Sequence, residues 1–130
     1  MPDINFIAVA VAAAAAVVTA MIYYMLTAGL LAGSGTTISG DERPPLWKIG
    51  VNYLTSIVVA LVVAGLADTS GADTIGRCLL LGLVLWIGFP LTLWISAMTW
   101  ENVSWRLALS HGGDWLVKLL TVAVIVGLWQ

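Results

Sequence analysis

The sequence predicts an all-α fold, an integral membrane four-helix bundle, and three observations carry that prediction. Hydrophobic residues make up 61% of the 130 residues and charged ones only 9%, where a soluble domain carries roughly a quarter charged residues. Mean hydropathy is +1.02. The apolar residues fall into four runs, each near the roughly 20 residues a helix needs to cross hydrocarbon, with short polar segments between them. A chain of this length is one four-span domain.

The first span is expected over Ile4 to Leu31. It is not a secretory signal: Met1 to Asn5 holds Asp3 in place of a basic n-region, and the apolar run is too long for an h-region. Gly33 to Pro45, rich in Gly and Ser and ending in charges and two prolines, is the first loop. The second span covers about Leu46 to Leu66, with Trp47 and Lys48 as interfacial anchors. Ala67 to Asp73 forms the second loop, and Asp73 or Thr74 caps a third span over residues 74–100. Pro90 lies inside that span and should kink it, freeing a carbonyl near Trp86. Glu101 to Ser104 is a tight turn, and Ser104 starts a fourth span over residues 104–130. Glu101 and Arg106 flank the turn and are expected to pair at the surface.

Lys and Arg residues set the direction. Arg43, Lys48 and Arg106 lie by loops one and three, against Arg77 alone on the other side, so both termini are expected outside. The formal charge of -2 argues against nucleic acid, and membrane lipid is the expected partner. The single cysteine, Cys78, excludes an internal disulfide and fits a small packing residue. Ala8, Ala12, Ala16 and Ala20 lie four apart, as do Ala28 and Ala32, and Gly82, Gly88, Gly112, Gly113 and Gly127 dot the last two spans. Such ridges serve close packing in lipid, either within the chain or in a homo-oligomer.

Polar residues inside the spans are the functional signal. His111, Asp114 and Lys118 share one helical stripe by their spacing, and charge in hydrocarbon must face protein or water. At 1.5 Å rise per residue, they lie about 7, 12 and 18 Å in from Arg106. Asn52, Thr55 and Ser56 on the second span, Thr92 and Ser96 on the third, and Tyr23, Tyr24 and Thr27 on the first fall at similar depths. The opposite half of each span is apolar or small. This sorting predicts a polar layer open toward the cytoplasm, with His111, Asp114, Lys118, Tyr23, Tyr24, Asn52, Ser56, Thr92, Ser96 and Trp115 as candidate pocket residues.

Asp114 and Lys118 form an i,i+4 pair in the favourable acid-first order. Three readings remain open: a compensating pair that fixes helix register, a proton or ligand site built on His111 and Asp114, or a lipid-headgroup site. Of the seven tryptophans, Trp47, Trp100, Trp105 and Trp129 fall at span ends, where aromatic belts belong. Trp86, Trp94 and Trp115 lie deeper, and Trp115 adjoins Asp114. Phosphate loops, His-Glu-x-x-His, Cys-x-x-Cys and nucleophile elbows are absent, so no metal and no cofactor are expected, and nothing beyond His111 and Asp114 argues for an enzyme.

The chain resembles a family of small four-helix bacterial membrane proteins catalogued as domain of unknown function 1761. The resemblance is carried by Gly82 to Phe89 and by Leu107 to Trp129, above all His111 to Leu120, with Tyr23 and Tyr24 where the family shows an aromatic pair. The resemblance implies four spans, in a bacterial inner membrane, and brings no activity. Small multidrug-resistance transporters share the span count but couple through a carboxylate in the first span, and no acid stands between Asp3 and Asp41 here. The sequence thus favours a structural or accessory membrane protein with a buried charge pair. Binding or transport of a small ligand, lipid or proton is the alternative.

Overall fold

The computed structural model describes residues 4–31 and 45–129. Most of the first loop, with Arg43 and the Ala28–Ala32 pair, lies outside these described side chains, as do Met1 to Asp3 and Gln130.

Helix α1 runs Phe6–Leu31. Asn5 starts it, its Oδ1 accepting from the backbone N–H groups of Ile7 at 3.0 Å and Ala8 at 3.2 Å. This satisfies donors that a helix start leaves free, and it moves the first helical residue past Ile4. Helix α2 runs Leu46–Ser70, beyond the Leu66 expected from hydropathy. Nothing in Ala67 to Ser70 breaks a helix. The stop comes at Gly71, at φ 72°, where the Ala72 N–H reaches the Ala67 carbonyl at 2.8 Å and the Gly71 N–H reaches Asp68 at 3.3 Å. That is a Schellman ending, which needs the left-handed residue that glycine supplies cheaply.

The third span is continuous in helix but changes register midway. Helix α3 covers Ile75–Trp86, a π turn covers Ile87–Leu91, and helix α4 covers Thr92–Trp100. Thr74 caps the start, accepting from the Arg77 N–H at 3.2 Å. Pro90 sits inside the π turn. Pairing each N–H with the carbonyl five residues back passes over the donor that proline lacks. The hydroxyl of Thr92 donates to the carbonyls of Phe89 at 2.9 Å and Gly88 at 3.1 Å, so two carbonyls at the irregularity are met from within the same span. Helix α5, Trp105–Leu128, is capped by Ser104, which accepts from the Leu107 N–H at 3.2 Å.

All four spans are long and apolar enough to cross a membrane. Helix α5 is the hub, with α1 and α3 packed most closely on it and α2 held mainly by α1. The Ala8, Ala12, Ala16 and Ala20 ridge is buried inside this core with Ala60, Val63, Val122 and Val126. Close approach is visible at two glycines. A Cβ on Gly82 would lie 3.2 Å from the Leu119 carbonyl oxygen, and one on Gly127 would lie 2.9 Å from Ile75 Cα. Large apolar residues such as Leu26, Val58, Leu80 and Phe89 are exposed instead, the inversion expected when the solvent is hydrocarbon. Cys78 is buried, its thiol on the Ala72 carbonyl.

At the surface, Arg77 pairs with Asp73 at 3.0 Å. The expected Glu101–Arg106 pair does not form. The Arg106 guanidinium lies over the Trp105 ring instead, 5.5 Å from its centroid.

Candidate functional site

The polar residues of α1 and α5 meet where Tyr23 and Tyr24 face Ser110 to Asp114. Tyr23 donates its hydroxyl to the Ser110 carbonyl at 2.8 Å, which docks α1 on α5. Gly113 makes this possible: a Cβ there would lie 3.2 Å from Tyr23 Cζ and closer still to the hydroxyl. On the other side of α5, the Trp86 indole N–H donates to the Gly112 carbonyl at 2.7 Å. Gly113 therefore admits the Tyr23 ring, while a Cβ on Gly112 would meet only Trp94 Cδ1, at an ordinary 3.9 Å.

Tyr24 is the centre of the cluster. Its hydroxyl lies 2.6 Å from His111 Nδ1 and donates to Asp114 Oδ2 at 3.3 Å. A hydroxyl has one proton to give. Donated to the carboxylate, it leaves the short contact with His111 to be filled by Nδ1–H. The bonds then run in one direction, from imidazole to phenol to carboxylate. Such a chain fixes the tautomer of His111, and Nε2 keeps its lone pair. That nitrogen has no partner among the described residues and is not among the enclosed polar atoms without one. The Trp94 ring stacks on the imidazole at 5.1 Å with 14° between planes, and Tyr24 meets it edge-on at 5.7 Å. The imidazole is thus held on two sides.

Three polar atoms around this chain are enclosed and unpartnered: Asp114 Oδ1, Ser110 Oγ and Trp94 Nε1. Asp114 is 8% exposed and Lys118 6%. The two share the predicted stripe, but Lys118 makes no ion pair or hydrogen bond with Asp114. Its ammonium sits over the Trp115 ring, 4.8 Å from the centroid. Asp114 takes a phenol and Lys118 an aromatic face, while the two buried charges, one turn apart on α5, attract each other through space without touching.

The other candidates lie apart from this chain of bonds. Thr92 uses its hydroxyl on its own helix, and with Ser96 it lines an apolar groove of about 800 Å³ against α2. Trp115 borders the same groove. Ser56 is buried with its hydroxyl unpartnered. Asn52 is half-buried and makes no side-chain bond to the cluster. Sequence reasoning passed over Ser110, and it marked Trp86 and Trp94 as deep-lying without placing them in the site. The available signal was Gly113 amid bulky neighbours, which marks the place where the Tyr23 ring comes close. No group of three His, Cys, Asp or Glu residues stands ready for a metal ion among the described residues.

Comparison with known proteins gives a family and no activity. The model of a family described as "Protein of unknown function (DUF1761)" matches residues 7–127, so the chain belongs to that family. No curated protein matches, and no solved structure matches.

Proposed function

We propose that this member of the DUF1761 family is a multi-pass protein of the bacterial inner membrane that binds a proton at His111 from the cytoplasmic side. The observation that supports it is the directed chain from His111 Nδ1 through the Tyr24 hydroxyl to Asp114 Oδ2. Asp114 supplies a counter-charge for an imidazolium through one intervening phenol. The chain points the free Nε2 away from that bond, and Trp94 holds the ring plane. Ionisable groups inside a span are expensive and mark proton or ligand sites by default.

A charge pair that only fixes helix register is the second reading, favoured by the burial of Asp114 and Lys118 one turn apart and by their mutual attraction. Residues Val122 to Leu128 of α5 carry no polar side chain, so α5 itself does not continue the relay toward its C-terminal end. The site therefore suits a one-sided proton sensor or a protonation step coupled to a conformational change, rather than a proton channel.

His111 is the one histidine of the chain, so it can be read without assignment. Label the protein with 15N-histidine, carry no histidine tag, and follow the ring nitrogens by NMR in lipid bilayers. The expected result is a neutral Nδ1–H form that takes up a second proton as the pH is lowered. Tyr24→Phe should release the tautomer preference while the helices persist by circular dichroism. A neutral Nε2–H form in the wild-type protein, or a ring that does not titrate, would overturn the proposal.

A further inference from the structure

The groove bordered by Trp115 has a second use for the molecule. Helix α4 makes no close backbone approach to α2, and α3 touches α2 only briefly. The second and third spans therefore part and leave α5 as the floor of a lateral groove of about 800 Å³. Val58, Val62 and Leu66 form one wall and Phe89 and Leu93 the other, and all five are exposed. At 1.5 Å per residue, the α2 wall extends about 12 Å along the bundle. Trp115 lies on the floor with its ring against Lys118.

We infer that this groove holds an acyl chain of a membrane lipid, recognised by its tail and not by its headgroup. The site lies within the spans and carries no charged residue, so it has nothing to offer a phosphate. Water would find little there: the Thr92 hydroxyl is already committed to backbone, Ser96 offers a single hydroxyl, and a buried water needs several polar partners. Left empty, the walls would lose dispersion contacts. A helix from a second copy fits less well. Helices in lipid dock through small residues that let backbones approach, and these walls are Val, Leu and Phe, while the Ala8 to Ala20 ridge is used inside the chain. A flexible hydrocarbon chain fills a groove of branched walls without that requirement. The inference stands apart from the proton site, which shares none of the groove's wall residues.

The test is photolabelling in nanodiscs with phosphatidylethanolamine or phosphatidylglycerol bearing a diazirine midway along one acyl chain, followed by peptide mapping. Labelling of the α2 and α4 walls should exceed that of the equally exposed Val84 face by roughly threefold, the modest scale of association in lipid. It should be the same for both headgroups. Val62→Trp fills the groove and should bring wall labelling down to the Val84 level, while Val84→Trp should leave it unchanged. Circular dichroism checks that each variant is folded, and Val62→Phe serves if the tryptophan is not tolerated. Uniform labelling, indifference to the filling substitution, or dependence on the headgroup would overturn the inference. So would disulfide dimers of Leu93→Cys, which would put a second copy in the groove.

Discussion

Lys118 is where two physical pictures of this protein divide. If its ammonium and the Asp114 carboxylate compensated each other by contact, removing one would strand the other in a buried setting, at a cost of roughly 3–5 kcal/mol. The double change would then recover most of the loss. The geometry says otherwise. Asp114 has its phenol and Lys118 its indole face, and a cation on an aromatic ring contributes about 0.5–2 kcal/mol. Lys118→Met should therefore cost no more than about 2 kcal/mol in reversible unfolding from detergent micelles. In a cycle with Asp114→Asn, the coupling should lie near about 1 kcal/mol, the attraction of two buried charges that do not touch. A coupling of about 3 kcal/mol would restore the closed pair. This residue also marks the limit of reading a site from spacing. The stripe was legible because i, i+3 and i+7 share a helical face whatever else happens. Which of several nearby groups each side chain chooses depends on rings arriving from other spans, and spacing along one helix is blind to those.

At the scale of elements, the spans were legible because hydropathy and length are local properties, and caps such as Thr74 and Ser104 declare themselves by type. The end of α2 was harder, since polar residues after Leu66 look like loop while the real stop is the backbone freedom of Gly71. Helix contacts were only half legible. Glycine spacing announces close packing but not which glycine takes part, and the structure separates them sharply. Gly127 faces the Ile75 backbone, which cannot swing aside as a side chain can, whereas a methyl group on Gly76 would meet nothing within 4 Å. Gly127→Ala should force α5 from the start of α3 and destabilise the protein by about 1–3 kcal/mol, the usual cost of overpacking. Gly76→Ala, in the first turn of α3, should be neutral or stabilising by up to about 1 kcal/mol through helix propensity alone. Thermal unfolding of the two variants side by side checks this. If Gly127→Ala matched Gly76→Ala, the tight crossing of α3 and α5 would be absent in the membrane.

For the whole molecule, the polar groups decide which face is open to water and the basic residues decide which face that is. Lys48 begins α2 and Arg106 begins α5, both at the end of the bundle that holds His111, while Arg77 stands at the other end beside Asp73. Cationic residues flanking short loops resist translocation, so the end with Lys48 and Arg106 should stay in the cytoplasm. The proton site would then sense cytoplasmic pH, separated from the outside by the apolar stretch that ends α5. A C-terminal alkaline phosphatase fusion should be active and a C-terminal fluorescent-protein fusion dark in the bacterial host. Replacing Lys48 and Arg106 by Gln while adding Lys at Asp73 should invert both signals in a measurable fraction of molecules, because so few charges hold the direction. If the unmodified chain gave the opposite pattern, His111 would face outward. The helix bundle would stand unchanged, but the proposed proton would come from the other side of the membrane.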